Sequence, residues 1–140
     1  MEKKASLSHV CQHNGQAWVV VNNEIYLYDI DTLDFLGSWE AHKTNVTAII
    51  SVGDSFVWTA AQNEVTVWEA EVCTQSGDTG FLPTLTNRPS QGVEIKNMKT
   101  VELRSACSYM YFSPMENRVW LAEEDIILVW DPTVCFNAPL

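Results

Sequence analysis

The 140-residue chain is short of basic residues, of histidine and of long apolar runs. Eight Lys and Arg stand against eighteen Asp and Glu, for a formal net charge of −10. A surface of that sign repels phosphate, so neither nucleic acid nor an anionic membrane is an expected partner. No stretch of about 18 apolar residues occurs, so no membrane-spanning helix is expected. The N-terminal MEKKASLSHVCQHNGQ also lacks the apolar segment of a secretory leader. A cytoplasmic location is the resulting expectation. The four cysteines, Cys11, Cys73, Cys107 and Cys135, form no CxxC pair and fit no zinc framework. Reduced thiols acting as small hydrophobes are expected, with Cys11 and Cys107 in apolar strands. Helical periodicity is missing too. Over 94–104 the 3.6-residue template catches Val93, Lys96 or Asn97, and Thr100, which is no apolar stripe.

What is present is a repeat. Apolar residues make up 46% and aromatics 11%, the composition of a globular chain. Trp18 to Tyr28 (WVVVNNEIYLY), Trp58 to Trp68 (WTAAQNEVTVW) and Trp120 to Trp130 (WLAEEDIILVW) share one frame. Each opens on tryptophan, turns on polar residues and closes on an aromatic. Before the closing aromatic stand the pairs Ile25/Leu27, Val65/Val67 and Ile127/Val129. Residues two apart on a strand share a face, so each pair is expected to mark a buried face. Three copies of one hairpin define a repeat architecture.

Taken in order, the first unit reads as strands 6–13, 16–21, 24–29 and 34–39, with turns at Asn14-Gly15 and Asn22-Asn23. The second reads as 46–52, 55–60, 64–70 and 94–103, interrupted by a Thr-, Ser-, Gly- and Pro-rich segment over 74–92 expected to be a surface loop. The third reads as 107–112, 118–122 and 126–131. The units therefore span 6–39, 40–104 and 105–140, the last without room for a fourth strand. The fold class is all-β, with three antiparallel units.

Val67-Trp68-Glu69, Val129-Trp130-Asp131 and Glu40-Ala41-His42 resemble WD40 repeats, whose blades open on a Gly-His pair and end the third strand on Trp-Asp. Residues 39–68 are similar to the divergent propellers of large signalling proteins such as Rho-type exchange factors, Roco-type kinases and inositol-polyphosphate 5-phosphatases. The resemblance implies four-stranded blades of a β-propeller and a non-catalytic scaffold for protein–protein interaction. It also implies a buried network between the opening histidine and an aspartate six residues before the closing tryptophan. Those aspartate positions hold Asn22, Gln62 and Glu124, and only His42 represents the histidine. His42 with Thr59 or Trp68 is then what retains part of the network, and packed aromatics carry more of the stability. Three blades are fewer than the four to eight that close a ring. The missing blades are expected from a longer parent chain, from self-association or from another chain.

Candidate interaction residues are His42, Lys43, Thr44 and Asn45 on the connection between units. Asn22, Asn23, Gln62 and Asn63 are expected on the opposite set of turns, where turn geometry alone accounts for them. Trp18, Trp58, Trp68, Trp120 and Trp130 are the structural candidates. In the 74–92 segment, Thr74, Ser76, Thr79, Thr84 and Ser90 are possible modification acceptors. His9, Cys11 and His13 alternate on one strand face, a pattern a soft metal uses, but a zinc site normally needs four ligands and a first strand with one buried thiol is the expected reading. Asp29, Asp31, Asp34, Glu123, Glu124 and Asp125 lie beside turns or strand ends, where acids are expected to be solvated. No Ser-His-Asp elbow and no glycine-rich phosphate loop occur. No catalytic residue, metal or cofactor is expected. The alternative is a segment of a propeller enzyme or carbohydrate-binding propeller whose site residues lie mostly outside this chain.

Overall fold

The computed structural model describes residues 7–73 and 92–132. The candidate acceptors Thr74, Ser76, Thr79, Thr84 and Ser90, with nearly all of the expected loop and Cys135, lie outside the described residues. Three antiparallel sheets follow one another along the chain, and no helix occurs among the described residues. The first contains β1 (Leu7–His13), β2 (Gln16–Val21), β3 (Glu24–Asp29) and β4 (Phe35–Glu40). The second contains β5 (Ala48–Val52), β6 (Phe56–Ala61), β7 (Glu64–Cys73) and β8 (Gly92–Glu102). The third contains β9 (Cys107–Ser113), β10 (Arg118–Glu123) and β11 (Ile126–Trp130). Strand order follows chain order in each sheet, so every sheet is an up-and-down meander.

Turn chemistry explains the tight connections. Asn14 (φ 50°) and Gly15 (φ 76°) join β1 to β2 in the left-handed region that Asn and Gly tolerate best. Asn22 (φ 58°), Gln62 (φ 53°) and Asn117 (φ 56°) adopt the same region at the β2–β3, β6–β7 and β9–β10 turns. The hairpin registers are equivalent in the three repeats. Trp18 pairs with Leu27, Trp58 with Val67, and Trp120 with Val129.

Equal registers give every sheet the same two faces. One carries the opening tryptophan of the repeat and the other carries the closing aromatic. The tryptophan face of the first sheet (Trp18, Val20, Ile25, Leu27) packs on Val57 and Trp68 of the second, with Cys11 and Val46 in the same cluster. The tryptophan face of the second sheet (Trp58, Ala60, Val65, Val67) packs on Met110, Val119, Leu121 and Trp130 of the third. The middle sheet is therefore buried on both sides, which explains why successive residues Val57–Ala61 of β6 and Val65–Trp68 of β7 are buried rather than every second one. Aromatic edges fill the interfaces. The rings of Trp58 and Trp130 lie 5.4 Å apart, and Trp18 reaches Trp68 through Trp39 at centroid distances of 5.3 and 5.6 Å.

The third hairpin departs from expectation. Ile127 is 64% exposed and Trp120 is 45% exposed, whereas the buried face holds Val119, Leu121 and Trp130. The reason is positional. Trp120, Ile127 and Val129 occupy the tryptophan face of the last sheet, and no further sheet among the described residues covers it. The sheets approach most closely along their first strands, where β5 lies between β1 and β9, while the outer strands β4 and β8 touch only sparsely.

Trp58 is fully buried between two sheets, so Trp58→Ala is expected to destabilise the fold by about 3–5 kcal/mol in urea or guanidinium unfolding. Met115, which is 90% exposed, sets the contrast: Met115→Ala is expected to stay within about 0.5 kcal/mol of the parent chain.

Candidate functional site

In a meander the β2–β3 turn and the β4–β5 connection leave a sheet at the same end. The Asn22-Asn23 turn is accordingly packed against residues 41–46, not on the opposite rim from them as the sequence reading placed it. The Asn22 carbonyl accepts from the Val46 N–H at 2.8 Å, and that of Asn23 accepts from the Ala41 N–H at 2.9 Å. The next repeat reproduces the arrangement. Gln62 accepts from Cys107 at 2.8 Å and Asn63 from Leu103 at 2.7 Å. The side-chain amides of Asn23 and Asn63 also donate to the carbonyls of His42 and Leu103, at 3.0 and 3.3 Å. Turn residues that resembled a binding rim thus clamp each sheet to the connection that follows it.

This clamp holds His42 inward, only 4% exposed. Its Nε2 lies 2.7 Å from Thr59 Oγ1, and Trp68 Nε1 donates to the same oxygen at 2.9 Å. Its Nδ1 lies 3.1 Å from Glu64 Oε1. A carboxylate only accepts, so Nδ1 carries the ring proton and donates to Glu64. Nε2 then accepts from the Thr59 hydroxyl, whose oxygen accepts from Trp68. The four groups form one directional relay across β6, β7 and the connection. The carboxylate comes from Glu64, because position 62, where the family pattern has its aspartate, holds a glutamine. Glu64, Thr66 and Trp68 alternate along β7, and that alternation is the sequence signal that would have found the acid.

Burial holds the His42 imidazolium pKa below its ordinary value, against the opposing pull of Glu64. With both ring nitrogens engaged by protein groups, His42 has no free nitrogen to serve as a general base. Next to it, Lys43, Thr44 and Asn45 are exposed on the connection. A shallow cleft of about 330 Å³ opens here, bordered by Lys43, Glu64, Thr66, Asn97 and Thr100. It is polar, and Thr66 and Thr100 pair across its floor at 3.0 Å.

The other candidates resolve separately. His13 is buried, with Nδ1 2.8 Å from Ser51 Oγ of the neighbouring sheet and Nε2 3.3 Å from Asn14 Nδ2. Asn14 also donates to the Asp54 carbonyl at 2.7 Å, so this group ties β1 to the second sheet. Burial lowers the His13 pKa, with Asp54 opposing. Cys11 is buried and its thiol is pushed up to about 11 by burial, which keeps it protonated and unreactive at neutral pH. Burial raises the Cys107 thiol as well. Among the described residues no group of three or more His, Cys, Asp or Glu is placed to hold a metal.

Asp29 does local work, its Oδ1 accepting from the N–H groups of Asp31 and Thr32 at 2.9 and 3.0 Å. Glu123 corrects the expectation of solvated acids. It is 2% exposed, with Oε1 lacking a hydrogen-bond partner among the described residues. Trp18, Trp58, Trp68 and Trp130 are core residues, and Trp120 alone of the five candidate tryptophans is exposed.

No protein-family model matches the chain, and a search of curated proteins returns no match.

Thr59→Val removes the hydroxyl that serves both His42 and Trp68 and leaves two buried nitrogens unpaired. A loss of about 1–3 kcal/mol in unfolding free energy is expected. The two buried histidines also set a pH dependence. Their folded pKa values are lowered, so the unfolded chain binds more protons. Stability is therefore complete above the unfolded value near 6.5 and falls as pH drops below it toward the folded values. Thermal unfolding between pH 7.5 and 5.5 should show this decline, with a shallower slope in His42→Gln.

Proposed function

We propose that the chain is part of a WD40-like β-propeller in an intracellular signalling protein, serving as a non-catalytic platform for protein–protein interaction. The observation that carries this reading is the Trp68–Thr59–His42–Glu64 relay. It joins a blade-opening histidine to the third-strand tryptophan, as the WD40 resemblance implies, with glutamate supplying the carboxylate. The convergence of β1, β5 and β9 along one edge agrees with the first strands of successive blades lining a common axis.

The platform lies at the rim beside His42, where the connection exposes Lys43, Thr44 and Asn45 above the polar cleft. Its chemistry is surface complementarity. The relay and the clamp hold the connection rigid, so a partner binds without first ordering a loop, and the entropic cost of association falls. In a surface of net charge −10, Lys43 gives this rim a cationic contact for a partner carboxylate.

Affinity capture with the intact chain tests the reading, using the double variant Lys43→Glu, Asn45→Ala as control. Both side chains are exposed, so the variant is expected to keep the parent melting temperature. A protein retained by the parent chain and lost by the variant is the expected result. Identical capture by both would remove the platform from this rim, and turnover of a small substrate would overturn the non-catalytic reading.

A further inference from the structure

Sheet stacking follows one rule at both internal interfaces. The opening-tryptophan face of one repeat seats the closing-aromatic face of the next. Trp58 meets Trp130 directly at 5.4 Å, and Trp18 meets Trp68 through Trp39. Two faces are left over, one of each kind. The tryptophan face of the last sheet carries Tyr109 (62% exposed), Tyr111 (51%), Trp120 (45%) and Ile127 (64%). The closing-aromatic face of the first sheet carries Val10, Val19, Tyr26 and Tyr28, with Phe35 against both tyrosines at 6.1 and 5.6 Å. Val10 and Phe35 on that face are 61% and 55% exposed.

We propose that the occupant of the Trp120 face is the Tyr28 face of a second copy of this chain, so that two copies close head to tail into a ring of six sheets. The inference rests on the stacking reading proposed above and extends it to a partner. Three observations support it. First, the missing interface has the same two halves as the two that exist, with Trp120 as the unmatched opening tryptophan and Tyr28 as the unmatched closing aromatic. Second, charge is confined to one end of each face, with Glu24 and Glu40 paired across β3 and β4 beside Tyr26, and Arg118 paired with Asp131 at 3.4 Å, while the aromatic centre of each face is neutral. Positions 109, 111, 120, 122, 127 and 129 carry no charge, nor do 10, 17, 19, 26, 28 and 35. Third, the number closes. Each chain supplies three sheets, two chains supply six, and rings of about four to eight such sheets are the ones that close. One copy falls below that range and three exceed it.

A head-to-tail contact also predicts how variants combine. Trp120→Glu spoils one face and Tyr28→Glu spoils the other. Each alone removes both contacts of a ring, but a mixture of the two retains one intact pair of faces. Sedimentation equilibrium of the full chain over a concentration series should give twice the 15.8 kDa chain mass. Either substitution should weaken self-association by about 100-fold, as expected for a buried aromatic anchor, and mixing the two variants should restore a two-chain species. Added salt should strengthen the parent dimer, because the copies carry like charge. Ile127→Lys, on the same face as Trp120, repeats the test at a second exposed position, and melting curves establish that each variant is folded.

A folded parent monomer with cooperative unfolding would overturn the dimer while leaving the stacking of sheets within the chain intact. A dimer insensitive to both substitutions would place the contact elsewhere and overturn it equally. A ladder of higher masses would mean faces that stack without closing, against the six-sheet ring. A parent chain without a β-sheet spectrum would sink the propeller reading together with the inference.

Discussion

The structure depends on the burial of tryptophan between sheets. A meander with apolar residues on both faces has no stable existence alone, because either face left in water forfeits about 25 cal/mol per Å² of apolar area. Stacking resolves this for the middle sheet, whose Trp58, Val65 and Val67 face one neighbour and whose Val57 and Trp68 face the other. Everything else in the chain serves to bring successive sheets to that distance and orientation. Aromatic rings suit the task because they fill the splayed space between sheets and meet edge to face, as Trp39 does with both Trp18 and Trp68.

Apolar packing alone would let the sheets slide. Directional polar contacts set their alignment, and they recur with the repeat. Main-chain carbonyls of the Asn22-Asn23 turn capture three N–H groups of the segment that follows the sheet, and those of the Gln62-Asn63 turn capture two. The His42 relay adds side-chain bonds that cross from the connection into β6 and β7. His13 with Ser51, and Asn14 with the Asp54 carbonyl, do the same at the other end of the first strands. Burial lowers the pKa of both imidazoles, which favours their neutral forms.

Strand positions, turns and repeat frame were legible in the residues, because alternation, Asn-Gly chemistry and recurring tryptophans are local signals. All eleven strands fall within two residues of their expected starts, and ten do so at their ends. The exception, β7, extends to Cys73 where 70 was expected. Less of the site was legible. His42 with Thr59 and Trp68 was visible as a remnant of a family pattern. The family's aspartate position holds Gln62, which left the network partial in the sequence reading, and Glu64, the acid that does reach His42, was not singled out.

The sequence by itself determined the all-β class, the three hairpins and the two-faced pattern of each strand, since hydrophobic alternation and turn propensity act over a few residues. Only the tertiary structure decided which face is buried. Ile127 and Val129 occupy the same place in their repeat as Val65 and Val67, yet Ile127 is exposed and Val65 is not. The difference lies in whether another sheet stands opposite. It likewise decided that Glu64 pairs with His42, that Glu123 is buried, and that the Asn22-Asn23 turn meets the connection at 41–46. Those outcomes depend on how whole sheets sit against each other, and no local pattern encodes that.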